Sequence, residues 1–433
     1  MVLKPALLLL LASACVAAAP DFTAALAVLT DAIAARVFPG CAAGVLAASG
    51  EVLLAKGLGS QVYAGETAPL GGNAATSAAS LWDMASITKI VGATTTAALL
   101  VQRGHLSLDD RLADAALLGP RFAAAGKGDI AVRDLLLHQA GFPPDPVPGY
   151  SLPAFGCPAT AEQPHPPLNF SCVERVLDSV LAQTLEYPPR SKWIYSDLSM
   201  ITLAFALGGI VEARGLVPRA ALRPDCAAGA PGGGLARMCH FEAFVRVEVI
   251  ARAGMDAAGF LPVPDRWPTA MPTYEDPTYR HEIMQGAVSD ENSYALGGVA
   301  GHAGLFASLT DMLAFVRLWA LRSPPLIEQA TRDLFFTPPN PTFSPRALGW
   351  VTQAPTDDNR DCGAWPNSTA YHTGYTGTLI CIDVETSVSL VLLTNRVYFN
   401  STGNADAIQI VRQNFSTAVL AALQASAARE LPA

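Results

Sequence analysis

Apolar positions predict strands and helices at both ends of the chain. An amphipathic helix is predicted over 22–38, followed by two apolar strands that flank Ser49-Gly50, a typical hairpin turn. Two more strands are predicted over 378–383 and 388–394, and a last helix over about 405–425. Strand pairs at both ends with helices outside them predict one antiparallel sheet built from both termini.

The middle of the chain is helical instead, with long loops rich in proline and glycine. Apolar residues recur at helical spacing over 86–104, 131–138, 172–184, 198–213, 241–253 and 310–322. The loops 143–168 and 217–238 are predicted to be insertions, and Pro231-Gly232-Gly233-Gly234 makes the second flexible unless a disulfide holds it.

These patterns predict an α+β fold, an antiparallel sheet flanked by terminal helices plus a helical domain. We expect residues 1–19 to be a signal peptide, and 20–85 with 300–433 to form the sheet domain. Residues 86–299 are expected to form a mainly helical domain with loop insertions.

A serine and a lysine open the first helix of the middle region. Ser86 and Lys89 lie three residues apart and therefore point to the same side of a helix. A lysine that desolvation keeps neutral can take the proton of a serine hydroxyl, and the free N–H of Ser86 at a helix start can hold an oxyanion. Ser-x-x-Lys alone is a weak signal, because many such lysines are simply solvated. Here the lysine stands in an apolar helix, where an unpaired charge is expensive.

Two further polar segments contain candidate site residues. Tyr195 and Asp197 precede an apolar helix, so Tyr195 is a candidate proton carrier. The alternative is that Tyr195 is an ordinary half-buried aromatic and Asp197 caps the helix. Downstream, His372-Thr373-Gly374-Tyr375 opens a predicted strand, and its glycine allows a ligand to approach the backbone. The N–H of Tyr375 is then a candidate second oxyanion donor. The alternative is a glycine-rich strand start with a surface histidine.

Composition narrows the possible function. The 433 residues are 51% apolar and 15% charged, typical of a globular chain, and the net charge of −9 with scattered basic residues argues against nucleic acid as a partner. No His-Glu-x-x-His cluster and no Gly-x-Ser-x-Gly elbow is present, so neither a zinc hydrolase nor an α/β-hydrolase is favoured. We expect no cofactor, no metal and no membrane span, and a small-molecule or peptide acyl substrate; the oligomeric state is left open.

The N-terminus and the asparagines indicate a secretory pathway. Lys4, an apolar run to Ala12 and small residues to Ala19 form a typical signal peptide. Cys15 would suit a bacterial lipid anchor, but Ala12 stands where such sites usually have leucine. Four of the ten asparagines stand in N-x-Ser/Thr sequons, which favours glycosylation: Asn169, Asn367, Asn400 and Asn414.

Seven cysteines remain after the predicted signal peptide, and a secreted chain favours disulfides. Sequence does not fix their connectivity. Pairing between near neighbours is our hypothesis, with Cys41 left as a buried thiol, and the three pairs are Cys157–Cys172, Cys226–Cys239 and Cys362–Cys381.

Together these motifs resemble the serine β-lactamase and penicillin-binding-protein superfamily. The resemblance is strongest to the branch of class C β-lactamases, D-alanyl-D-alanine carboxypeptidases and serine esterases. Ser86 and Lys89 match Ser-x-x-Lys, Tyr195 and Asp197 match Tyr-x-Asn, and His372-Thr373-Gly374 matches Lys/His-Thr-Gly. The similarity spans about 25–420 and includes Gly297-Gly298-Val299-Ala300-Gly301-His302-Ala303-Gly304. It implies a serine at the junction of a sheet domain and a helical domain.

The resemblance implies a secreted serine hydrolase that acts through an acyl-enzyme on an ester or a D-amino-acid peptide or amide. Ser86 would attack, Lys89 and Tyr195 would move protons, and Asp197, His372, Thr373 and Gly374 would contact substrate. Two departures weaken a β-lactamase role: Asp197 stands where many relatives have asparagine, and His372 replaces a lysine that would attract a carboxylate. The alternative is a weak or inactive member that acts as a binding or polymer-forming module. Two roles are open for His138, His302 and Asp290-Glu291-Asn292, which either border the cleft or are structural, and we expect the structural role.

Overall fold

A computed structural model describes residues 19–159, 172–321, 326–400 and 404–429. The predicted signal peptide, apart from Ala19, and the sequon at Asn169 lie outside this part. The strands are β1 (Gly40–Leu46), β2 (Val52–Gly59), β3 (Trp82–Asp83), β4 (Gly259–Phe260), β5 (Glu275–Asp276), β6 (Glu282–Ile283), β7 (Leu305–Ala307), β8 (Val351–Thr352), β9 (Ala370–Thr373), β10 (Leu379–Ile382) and β11 (Ser389–Thr394).

The α-helices are α1 (Thr23–Ala34), α2 (Thr95–Gln102), α3 (Val132–Leu136), α4 (Cys172–Ala182), α5 (Asp197–Ala213), α6 (Gly234–Phe244), α7 (Ala251–Ala253), α8 (Glu291–Ala295), α9 (Leu309–Ala320), α10 (Gln329–Phe336) and α11 (Ala405–Ala428). Two segments are π-helical, Lys89–Thr94 and Val245–Ile250. Short 3₁₀ helices occupy Pro120–Gly126, Arg219–Ala221, Pro224–Ala228 and Pro264–Thr269.

One six-stranded antiparallel sheet, in the order β2-β1-β11-β10-β9-β8, joins the two ends of the chain. β1 pairs with β11 along its length, with Cys41 opposite Thr394 and Leu46 opposite Ser389. The predicted α+β fold, with its sheet built from both termini, is confirmed. The predicted domain boundaries stay a prediction.

The sheet is covered on both faces, which explains why β1 is apolar at every position. Ala42 and Leu46 face the larger core. Ala43 and Val45 face a smaller core that includes residues of α1 and α11. On the larger-core side α9 approaches so closely that a Cβ on Gly44 would lie 3.0 Å from the Leu309 side chain.

The helical region packs around α5, whose residues from Leu198 to Val211 are all buried. α6 crosses it at a close approach, since a Cβ on Gly208 would lie 2.0 Å from the carbonyl oxygen of Arg237. The residue that caps α5 is Ser196, whose side chain accepts a hydrogen bond from the Ser199 N–H. The alternative that Asp197 caps this helix is therefore wrong, and its carboxylate is directed to another partner.

α6 begins seven residues before the predicted start at 241. The carboxylate of Glu174 accepts hydrogen bonds from the N–H groups of Gly234 and Leu235, at 2.8 and 3.0 Å. A side chain from α4 thus satisfies the free amides at the start of α6, which a pattern local to α6 cannot reveal.

The three predicted disulfides, Cys157–Cys172, Cys226–Cys239 and Cys362–Cys381, are confirmed, and Cys41 is a buried free thiol. The second lies between the 217–238 loop and α6. Across the described ranges, we find no helix with the length and apolar character needed to cross a membrane.

Candidate active site

Ser86 stands at a strained turn between β3 and the first π-helical segment. Ala85, just before it, has φ +46°, which is unusual for a residue with a side chain. The turn is held because the buried carboxylate of Asp83 accepts a hydrogen bond from the Ala85 N–H at 2.8 Å and two more from Ser289. Ser86 remains half-buried, so its hydroxyl is reachable from the cavity described below.

Lys89 follows one turn later and is completely buried. Its ammonium donates hydrogen bonds to the Ser86 hydroxyl at 2.8 Å and to the His302 carbonyl at 3.1 Å. It also forms an ion pair with Asp197 at 2.7 Å and a side-chain hydrogen bond with Tyr195. The structure therefore brings together the serine, the lysine and the tyrosine that the sequence singled out.

The charge of Lys89 differs from the sequence expectation. Burial by itself lowers the pKa of the Lys89 ammonium, but Asp197 and Tyr195 outweigh burial, and the pKa lies above its ordinary value. Desolvation alone therefore does not keep this amine neutral. At neutral pH Lys89 is a cation whose ammonium donates a hydrogen bond to the serine hydroxyl.

Tyr195 is surrounded by aromatic and cationic side chains. Its ring centroid lies 4.8 Å from that of His138 and 6.2 Å from that of His372. Lys89 Nζ and Arg346 Cζ lie 4.8 and 5.0 Å from the same centroid. Packing on all these neighbours fixes the ring, and Tyr195 lines the same cavity as Ser86.

Hydrogen bonds set opposite tautomers on the two histidines beside Tyr195. His372 Nδ1 lies 2.8 Å from the Thr373 carbonyl, which can only accept, so Nδ1 carries the proton and Nε2 a lone pair. His138 Nδ1 instead accepts from the Ser196 N–H, so Nε2 carries the proton. Burial, with Arg346 and Lys89 nearby, holds the pKa of both imidazoles well below the usual range, and both are neutral.

The segment from His372 to Tyr375 extends from the end of β9 to the turn that holds Ser86. Gly374 makes the approach possible, since a Cβ there would lie 2.7 Å from the Met84 carbonyl oxygen. Hydroxyls of Thr376 and Thr378 donate to the carbonyls of Asp83 and Met84 at 2.8 and 3.2 Å. These bonds attach the segment to the turn, and Tyr375 lines the cavity beside Ser86. Thr373 lies behind it, next to His372 in a separate small cavity.

The cavity in front of Ser86 has a volume of about 330 Å³ and an acidic wall. Four carboxylates line it, those of Asp145, Asp197, Asp290 and Glu291, and none of the described lining residues is Lys, Arg or His. Burial and the negative neighbours Asp197 and Asp290 raise the pKa of Asp145. Burial and Asp290 likewise raise the pKa of Glu291. The lining side chains that the structure describes therefore offer carboxylates and no cation, while Lys89 stands behind Asp197 at 2.7 Å and Arg280 behind Glu291 at 3.9 Å.

Four residues that we expected to be structural contribute to the site, one of them Glu291 in the cavity wall. Asp290 lines the cavity and accepts a hydrogen bond from His302 Nε2 at 2.8 Å, and the His302 carbonyl binds Lys89. His138 packs on Tyr195. The one signal that could have placed His302 here is the glycine-rich stretch from Gly297 to Gly304, which resembled the family without an evident chemical role.

Among the described residues, Asp197, Asp290 and His302 are the one group whose ligand atoms lie within 4.8 Å of one another, as a metal site would require. Their side chains are already engaged: Asp197 pairs with Lys89, and His302 binds Asp290. These two interactions explain why the three side chains lie close together.

An antiparallel sheet with a helical region, and a serine, a lysine and a tyrosine around one cavity, are typical of serine hydrolases related to penicillin-binding proteins. A family model described as Beta-lactamase matches residues 26–415. The chain therefore belongs to the beta-lactamase family, whose members are serine hydrolases. The predicted superfamily membership is confirmed.

Individual relatives show the range of this family. The chain is 26% identical over 344 residues to a Salmonella gallinarum protein that carries the name D-alanyl-D-alanine carboxypeptidase, covering 73% of this chain and 69% of that protein. It is 28% identical over 331 residues to N-acetylmuramyl-L-alanine amidase of Bacillus subtilis, covering 73% and 68%. The structure of EstCE1, a hydrolase with promiscuous acyltransferase activity, matches with a TM-score of 0.63 at 19% identity, over 90% of this chain and 97% of that one, which shows the shared fold.

Replacing Lys89 by Met is expected to lower the free energy of unfolding by about 2–3 kcal/mol, because the Asp197 carboxylate loses its buried cation. Urea unfolding measures this change. The exposed Lys56→Met serves as the matched control and should shift stability by less than about 0.5 kcal/mol. Equal effects of the two substitutions would contradict the ion pair described above.

Stability is expected to fall as pH drops below about 6.5, because unfolded His138 and His372 bind protons that the buried, neutral histidines do not. The slope per histidine is at most about 1.4 kcal/mol per pH unit. Urea unfolding between pH 7.5 and about 5 checks it. His372→Asn should reduce the slope, whereas His281→Asn, at an exposed histidine, is the matched control. An unchanged slope in His372→Asn would show that this imidazole protonates in the folded state.

Proposed function

We propose that the chain is a serine acyl hydrolase in which Ser86 is the nucleophile and Tyr195 the proton carrier. The observation that supports it most is the fully buried, cationic Lys89, which contacts the Ser86 hydroxyl, the Tyr195 phenol and Asp197 at once. A cation in contact with both side chains points the serine hydroxyl, and its charge attracts the phenol oxygen.

The chemistry follows from these positions. Tyr195 in its anionic form accepts the Ser86 proton as the serine oxygen bonds to the acyl carbon, and the N–H groups of Ser86 and Tyr375 hold the oxyanion. The tetrahedral intermediate collapses when Tyr195 returns that proton to the leaving oxygen or nitrogen, which leaves an ester on Ser86. A water molecule then gives a proton to Tyr195 as its oxygen bonds to the acyl carbon. The bond between that carbon and the Ser86 oxygen breaks as Tyr195 returns the proton to Ser86, and the carboxylic acid leaves.

Substrate charge is the second part of the proposal. The carboxylates that line the cavity favour neutral or cationic acyl substrates and repel carboxylates. The neutral His372 adds no attraction for an anion. An ester or an amide that carries an ammonium group therefore suits this cavity better than a β-lactam, whose carboxylate would face Asp197 and Asp290.

Export is proposed on separate grounds. The N-terminal apolar run, the sequons and the three disulfides all fit a secreted glycoprotein. The three sequon asparagines in the described residues, Asn367, Asn400 and Asn414, are exposed. The first test is the mass of the protein recovered from the medium of a eukaryotic expression host, before and after removal of N-glycans.

Ser86→Ala is expected to abolish fluorophosphonate labelling and to lower ester turnover by at least about 10³-fold, because the attacking oxygen is removed. Nitrophenyl acetate hydrolysis and intact-protein mass spectrometry measure the two effects. Ser49→Ala, in an exposed hairpin turn, is the control. A folded wild-type protein that neither labels nor hydrolyses esters would instead favour the binding-module alternative.

Among nitrophenyl esters of similar size, the ester of 4-aminobutyrate is expected to exceed the monoester of succinate in kcat/KM by about tenfold or more at low salt. Raising the ionic strength should narrow this ratio, since screening weakens the field. Asp145→Asn should also narrow it, whereas Asp109→Asn, at an exposed carboxylate outside the cavity, should not. A preference for the succinate ester would reject the proposed charge selectivity.

A further inference from the structure

A buried arginine behind Tyr195 has no part in the scheme so far. Arg346 Cζ lies 5.0 Å from the Tyr195 ring centroid and 5.5 Å from that of Trp193. Its Nε and one terminal nitrogen are buried without a hydrogen-bond partner in the described part of the chain. A buried guanidinium with unsatisfied donors is costly, so its retention requires a compensating interaction.

Asp357 is the carboxylate whose charge acts on Arg346, but it does not neutralise the guanidinium by direct contact. Asp357 influences Arg346 but accepts its own hydrogen bonds from the Tyr371 hydroxyl and from the N–H groups of Asn359 and Arg360. Burial lowers the pKa of Arg346, yet a guanidinium stays protonated at any pH at which the protein is folded. Arg346 therefore brings a positive charge to the wall of the site.

Tyr195 also faces other charged groups, since it shares the Ser86 cavity with Asp145, Asp290 and Glu291 and the small cavity with Asp357 and Asp361. Lys89 is balanced by Asp197 at 2.7 Å, so this pair contributes a dipole more than a charge. His138 and His372 are neutral, as their hydrogen bonds and burial require. His372 and Arg346 line one small cavity of about 70 Å³ next to Tyr195, and there too the histidine offers a lone pair, not a cation.

We propose that Arg346 is a positioning residue that acts through Tyr195. It packs against the phenol ring and brings a positive charge there, which stabilises the anionic form of Tyr195 that accepts the Ser86 proton. The catalytic role given to Arg346 here rests on the proposed function. The stacking and charge arrangement can be tested separately. Arg346 does not line the cavity that contains Ser86, so it is not expected to contact substrate.

The pH dependence of kcat/KM tests this role. In Arg346→Met and Arg346→Gln the acid limb of the profile should move up by about one pH unit or more, because losing a nearby positive charge makes the anionic phenol less favourable. Arg346→Lys keeps the charge but not the planar group, so its acid limb should stay near the wild-type position even where kcat falls. Arg332→Met, at another buried arginine whose contacts are with Ala320 and Asp333, is the matched control and should leave the limb in place.

A second readout does not need turnover. The absorbance change near 295 nm on titration, taken as each protein minus the same protein with Tyr195→Phe, reports the ionisation of this one tyrosine. Its midpoint should move upward in Arg346→Met and stay in Arg332→Met. An unmoved midpoint and an unmoved acid limb in a folded Arg346→Met or Arg346→Gln would overturn the inference, as would a shifted limb in Arg346→Lys. A wild-type protein without esterase activity or labelling, whose midpoint still depends on Arg346, would overturn the proposed function alone.

Discussion

The buried ammonium of Lys89 is the contact on which the site depends. Three segments that are distant in sequence bind it: the Ser86 turn, the start of α5 through Asp197, and the carbonyl of His302. A charge cannot be left without partners in an apolar interior, so each of these segments is held in place by the need to satisfy it. The position of Ser86 thus follows from the need to satisfy one buried cation with protein groups.

Around this cation two cavities meet at Tyr195. The front cavity is lined by carboxylates, and the smaller one holds the neutral His372 and Arg346 together with Asp357 and Asp361. Tyr195 lines both cavities, so its surroundings contain charges of both signs.

The sequence was sufficient for the fold class and for the motif residues, and physical reasons explain where it was not. Strand and helix periods identified both ends of the sheet, because β1 is apolar throughout, β11 has four apolar residues between Ser389 and Thr394, and α5 is buried from Leu198 to Val211. The early start of α6 was missed, since its amides are satisfied by Glu174 from another helix. The charge of Lys89 was misjudged for the same reason: a desolvation argument considers one residue, whereas Asp197 and Tyr195 decide the outcome. Arg346 stands in no local motif, and His302 lies in a glycine-rich stretch without an evident chemical role.

The pairing of β1 with β11 has a consequence for how the protein is made. A hairpin complete by residue 59 must wait for a strand that begins at Ser389 before its second edge is covered. Contacts of such sequence separation close slowly, and the apolar hairpin is exposed in the meantime to pairing with other chains. During synthesis nearly the whole polypeptide has to leave the ribosome before the sheet can form. Until β11 has been synthesised, the free edge of β1 in the nascent chain has to be protected from pairing with other chains.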